Sequence, residues 1–214
     1  MKRVFRFALM LTVALCVSSL PTWAGVMFTD LGAGNSYNSS GGWTVAGPGP
    51  IGEWGPASLF TAAIGGAVSQ IDVGLSVIDD GDVSVSLWTD VGGLPGVELE
   101  SWSATATQSL GDCCAVVTLA GLAGPNLTAG QQYFLAIIPG ETTFAVWNEN
   151  NQGVDGTVVS SSDGGATWPY QQSGTLGAFD ILGGSASVPE PGTVLLLGAG
   201  LLCLVARARK RAVR

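Results

Sequence analysis

Between Gly25 and Ser187 the side chains able to do chemistry are almost all carboxylates, hydroxyls and aromatic rings. The chain holds 16 Asp and Glu, 8 Lys and Arg and no His. All eight bases lie at the two ends, as Lys2, Arg3, Arg6, Arg207, Arg209, Lys210, Arg211 and Arg214, and Glu190 is the one acid outside the central stretch. Residues 25–187 therefore carry 15 carboxylates and no base, a formal charge of −15. Ser–His and Cys–His catalysis have no general base here, and lysine-based variants have no lysine. Nothing in the stretch can neutralise phosphates or anionic headgroups, which excludes nucleic acid and anionic lipid as its partners. So acidic a surface suits solubility and the attraction of cations.

Four carboxylate, thiol and aromatic arrangements remain. Asp79-Asp80-Gly81-Asp82, with Asp72 and Asp90 nearby, offers oxygen ligands of the kind calcium takes, but lacks the alternate spacing and terminal Glu of an EF-hand. Asp and Gly also fill ordinary turns, so a plain acidic turn is the first reading and a calcium site at Asp79, Asp80 and Asp82 the second. No other cofactor is expected. Glu98, Glu100, Glu141 and Glu149 could supply the paired carboxylates of a glycoside hydrolase, yet their spacing singles out no pair, and the expectation is a protein that is not an enzyme. Cys113-Cys114 is read as two reduced thiols on opposite faces of a strand, with a vicinal disulfide as the sharper alternative. Among the aromatics, Trp88 and Trp147 sit in strand-like runs and default to the core. Trp43 and Trp54 lie in Gly/Pro-rich loops and are the better candidates for exposure and for stacking on sugar rings, with a structural role as the first reading for them too.

The elements that must position these residues read as strands. Ile71, Val73, Leu75 and Val77 alternate with small or polar residues, and Val83, Val85 and Leu87 repeat the pattern after the acidic turn, which predicts a β-hairpin. Further strands are expected at 25–29, 59–63, 97–102, 115–119, 133–138, 143–147, 154–160 and 179–182. Gly, Pro and Asn clusters mark loops at 32–42, 47–55, 92–96 and 121–130. No interior stretch has helical spacing. Many short strands at regular turn spacing predict an all-β fold, a jelly-roll-like β-sandwich over 25–187.

One turn carries a family likeness. Ser161, Asp163, Gly165, Thr167 and Trp168, in "SSDGGATW", resemble the Asp box of sialidases and related β-propellers. That resemblance implies a structural hairpin device. The stretch occurs once, without the repetition of a propeller, and the central domain has no arginine to hold a sialic-acid carboxylate.

The ends of the chain read as address labels. Lys2, Arg3 and Arg6, an apolar run over 7–20 and small residues before Gly25 have the layout of a signal peptide over 1–24, cut by signal peptidase between Ala24 and Gly25. At the other end, over 188–214, Pro189-Glu190-Pro191 is followed by an apolar stretch and the basic residues Arg207, Arg209, Lys210 and Arg211. These three parts in this order resemble the PEP-CTERM sorting signal, which implies an exosortase as partner, processing around Pro189, Glu190 and Pro191, and a Gram-negative exporter of exopolysaccharide. The 14 apolar residues from Thr193 to Ala206 make roughly 21 Å of helix, short of the roughly 30 Å hydrocarbon core. A flanking signal helix and a short C-terminal hydrophobic helix, the latter a transient inner-membrane span, are thus expected around the sandwich. In the middle, "VSVSLWTDVGGLPGVELESW" and "LTAGQQYFLAI" resemble the choice-of-anchor R domain of bacterial surface proteins. The expected role is an exported surface or exopolysaccharide-associated protein for matrix association or adhesion, with a carbohydrate-active enzyme or binding module as the alternative.

Overall fold

The computed structural model describes residues 24–185, all of it strand, turn and loop. The predicted signal helix and C-terminal hydrophobic helix lie outside the described residues. A six-stranded sheet runs in the order β13 (Tyr170–Thr175), β12 (Asp155–Ser161), β3 (Gly55–Thr61), β10 (Gln132–Pro139), β6 (Asp82–Val91), β7 (Leu94–Thr105). A five-stranded sheet runs β1 (Ala24–Thr29), β14 (Phe179–Ser185), β4 (Gly66–Val73), β8 (Val117–Ala120), with β9 (Asn126–Leu127) also on β4. A three-stranded sheet, β2 (Gly42–Ala46), β11 (Phe144–Asn148), β5 (Leu75–Val77), completes it. Neighbouring strands in all three sheets are antiparallel.

The main core forms where the inner face of the large sheet meets the other two. Val83, Val85 and Leu87 of β6 and Tyr133, Leu135 and Ile137 of β10 meet Met27, Ile71, Val73, Trp147, Phe179 and Ile181. The period-two alternation of β6 follows from one buried face. Strand β10 reads differently, as the near-continuous apolar run "YFLAII", because it is buried on both faces: Phe134 and Ala136 pack outward in a second cluster with Ala57, Val159 and Trp168. Each such side chain contributes about 1.5–3 kcal/mol by leaving water. At the centre Trp147 is fully buried and donates its indole N–H to the Ala178 carbonyl at 3.1 Å.

The predicted hairpin around the acidic turn is not formed. The run from Ile71 to Val77 breaks at Gly74, whose amide donates to the Ala178 carbonyl at 2.9 Å, leaving β4 beside β14 and β5 beside β11. The acidic turn then carries the chain from the three-stranded sheet to the six-stranded one. Alternation marks strands without naming their partners. The true hairpin is β6–β7, closed at Gly92 and Gly93, whose φ angles of +67° and +86° suit a two-residue primed turn. Leu94 to Gly96, expected as loop, therefore belong to β7. Strands β2 and β13 were not expected, the first being hidden between two glycine-rich loops. Cys113 and Cys114 lie in the loop between β7 and β8 with their sulfurs against each other, not on opposite faces of a strand.

Candidate functional site

The predicted site residues fall into separate places. In the β12–β13 loop, Ser161 Oγ accepts the amides of Asp163 and Gly165 at 3.2 and 2.8 Å. The Asp163 carboxylate accepts the Thr167 amide at 2.8 Å and the Thr167 hydroxyl at 2.6 Å, and these bonds hold it below the usual carboxylate range. Gly164 and Gly165 supply the positive φ of the turn, at +69° and +89°. The loop thereby lays Trp168 over the outer face of the large sheet, edge-on to Trp88 at 5.7 Å.

The acidic turn is tied down by hydroxyls. Asp80 accepts the Asp82 amide at 3.2 Å and the Thr142 hydroxyl, which lower its pKa, and Asp82 accepts the Thr105 hydroxyl at 2.6 Å. Asp79 lines an open groove with Glu141. Among the described residues no three His, Cys, Asp or Glu side chains are grouped to hold a metal ion. Glu98 and Glu100 lie on β7, and Glu149 follows β11, where its carboxylate accepts the Asn38 amide at 3.5 Å.

Sequence reasoning missed a buried acid group at the end of the five-stranded sheet. Asp30 is 2 % exposed; its Oδ1 accepts the Phe179 amide at 2.6 Å, and its Oδ2 has no partner. Burial pushes its carboxyl up to about 8 against that hydrogen bond, and the charge of Asp180 adds to the rise. Burial likewise raises Asp180, which sits in register with Asp72 on β4. Asp72 in turn accepts the Thr118 hydroxyl at 2.6 Å and the Gln70 amide at 2.8 Å. Alternation gives no hint of this group, since each acid sits at an ordinary strand position.

One recess is aromatic. The loop from Gly47 to Glu53 is pinched at its base by paired Ala46–Trp54 backbone bonds of 3.0 and 2.8 Å. On one side lies the Asp79–Glu141 groove of ≈ 460 Å³. On the other is a cleft of ≈ 360 Å³ lined by Trp43, Thr44, Ile51, Trp54, Ser160 and Gln172. Trp43 is not in a loop, as its glycine neighbours suggested, but on β2, half-buried beside the core. Its indole N–H donates to the Thr175 carbonyl at 2.9 Å, and its ring lies against Gly174, where a side chain would crowd it. The Trp54 indole N–H donates to the Ile51 carbonyl at 3.1 Å, and its ring tilts against half-exposed Tyr170 at 5.0 Å. Tyr170, Ser160 and Gln172 share a face of the β12–β13 pair through the register Ser160↔Tyr170 and Val158↔Gln172.

The chain ends complete the picture. Ala24 opens β1 and pairs with Ser185 at the end of β14, so the described stretch begins and ends at adjacent positions. Pro189, Glu190, Pro191, Arg207, Arg209, Lys210 and Arg211 lie outside the described residues. No curated protein matches the chain. Residues 187–210 match the family model of the PEP-CTERM protein-sorting motif, which indicates an exported protein processed by an exosortase.

Proposed function

We propose that the protein is a non-enzymatic component of the cell surface or exopolysaccharide matrix of a Gram-negative bacterium, acting in matrix association or adhesion. The observation that carries this reading is the sorting motif, which begins at residue 187, directly after β14 ends at Ser185. In this reading the signal peptide exports an acidic, jelly-roll-like domain of the choice-of-anchor R kind. The tail then holds it briefly in the inner membrane until the exosortase cuts. The positive-inside rule keeps the basic ends cytoplasmic and leaves the acidic domain outside. Two features support a non-enzymatic role. Asp79 and Glu141, the carboxylates that share a groove, are both exposed to water. The acids with raised pKa, Asp30 and Asp180, line neither recess.

Intact-mass analysis in an exosortase-bearing host tests the sorting step. Mature wild type is expected to lack Arg207 to Arg214. A Pro189→Ala, Glu190→Ala, Pro191→Ala triple variant is expected to retain them and to stay with the membrane fraction. Mature wild type that keeps the basic tail would overturn the proposal.

A further inference from the structure

We propose that the Trp43–Trp54 cleft, with Tyr170 packed against Trp54, binds an uncharged glycan, taking the face of a neutral sugar ring against Trp54 and Tyr170. The inference rests on the surface and matrix reading above and names the ligand class for it.

Three observations carry it. The first is preorganisation. Both indole N–H groups are already spent on backbone carbonyls, Trp43 on Thr175 at 2.9 Å and Trp54 on Ile51 at 3.1 Å. The rings are thus fixed before a ligand arrives, and little rotamer entropy is lost on binding. Two prolines, Pro48 and Pro50, stiffen the loop that carries Ile51. The second is the mixture of surfaces. Tyr170 is 50 % and Ile51 56 % exposed, beside the exposed polar side chains of Thr44 and Gln172. Apolar ring faces with a few hydroxyl and amide groups at the rim match a sugar, which has C–H faces and equatorial hydroxyls. At ≈ 360 Å³ the cleft falls in the roughly 300–1,000 Å³ range of small-ligand sites.

The third observation is charge, and it selects among glycans. No Asp, Glu, Lys, Arg or His lines the cleft. A cationic amino sugar therefore finds no counter-ion in the cleft itself. An anionic polymer finds no base anywhere in residues 25–187, and 15 carboxylates repel it. Neutral hexose chains meet neither penalty. Hydrophobic docking of a protein is disfavoured by the small apolar area, since stable protein interfaces bury about 800 Å² per partner.

Affinity electrophoresis of the full-length chain through gels containing laminarin, dextran or hydroxyethylcellulose tests this, with alginate as the anionic and chitosan as the cationic polymer. Retardation is expected in at least one neutral glucan gel and absent in alginate. Trp54→Ala and Tyr170→Ala are each expected to weaken it about tenfold, as loss of an aromatic anchor does. Gln172→Ala, at an exposed position that leaves the core untouched, is expected to weaken it as well, and unchanged far-UV and near-UV circular dichroism separates lost binding from lost folding. Quenching or a blue shift of tryptophan fluorescence on titration with the retarding glucan, absent in Trp54→Phe, is the second readout. No retardation by any neutral glucan, binding to alginate or chitosan alone, or retardation that survives all three alanine variants would each sink the proposal. These outcomes are independent of tail processing, so a failed cleft leaves the sorting reading standing, and a retained tail leaves the cleft to be judged on its own.

Discussion

Asp30 is a carboxyl that the fold takes out of water without giving it a cation. Its Oδ1 has the Phe179 amide, its Oδ2 has no partner, and the acids facing it are Asp180 on β14 and, beyond that, Asp72 on β4. No base exists in the domain to compensate. The folded state therefore prefers the protonated form, with a pKa of about 8 against the ordinary 3.8. The sign follows from linkage: this contribution is complete below pH 4 and is lost as pH rises toward 8, by at most about 6 kcal/mol at about 1.4 kcal/mol per pKa unit. Asp180, also raised by burial, acts in the same direction. Asp30→Asn keeps an acceptor for the Phe179 amide and removes the ionisation. Urea unfolding at pH 5 and pH 8.5 is expected to show wild type losing stability over this range and Asp30→Asn losing less, by a few kcal/mol. Equal losses in the two proteins would refute the account. None of this was legible in the sequence, where "FTDLG" reads as an ordinary strand end. Burial of an acid depends on which strand lies opposite, and residue type does not carry that information.

Strand β7 shows how an element manages an exposed edge. It is 12 residues long and closes one side of the large sheet, presenting unpaired backbone groups along its outer side. Such an edge invites pairing with another copy unless something interrupts it. Two devices are present. The register slips between Trp88↔Glu98 and Leu87↔Glu100, making a bulge at Leu99, and Glu100 stands opposite core-facing Leu87. Glu98 adds a second charge across from Trp88. Glu98 and Glu100, two of the acids that could pair as hydrolase carboxylates, sit two residues apart on this one sheet edge. Replacing both, Glu98→Val with Glu100→Val, is expected to leave the monomer folded but to shift its size-exclusion profile to larger species at equal concentration. An unchanged profile would show that the bulge alone protects the edge. Most strands were legible at this scale, because one buried face imposes period two. What sequence could not supply was pairing, as with Ile71–Val77, where Gly74 splits one alternating run between two sheets. A polar edge strand such as β13, "YQQSGT", has no buried face to impose a pattern, and so left no trace.

For the whole molecule, the decisive fact is that every side-chain charge from Gly25 to Ser187 has the same sign. In an ordinary protein salt screens attractive and repulsive pairs alike, and the two effects offset each other. Here all pairs are repulsive, so screening can only stabilise the folded domain. Raising sodium chloride from 20 to 200 mM at pH 7.5 is expected to stabilise it by about 1 kcal/mol, a rise in Tm of roughly 2–4 °C for a domain of this size. The same logic separates general screening from a bound ion at the acidic turn. Asp80 and Asp82 already spend carboxylate oxygens on Thr142 and Thr105, and Asp79 lines a groove that neither of them lines. Calcium chloride and magnesium chloride at equal concentration are therefore expected to raise Tm equally, since screening depends on ionic charge and not on the fit of a cage. A rise specific to calcium that disappears in Asp80→Asn would show instead that the turn reorganises around the ion. Equal rises would leave the acidic field, rather than any one cluster of acids, as the source of cation dependence.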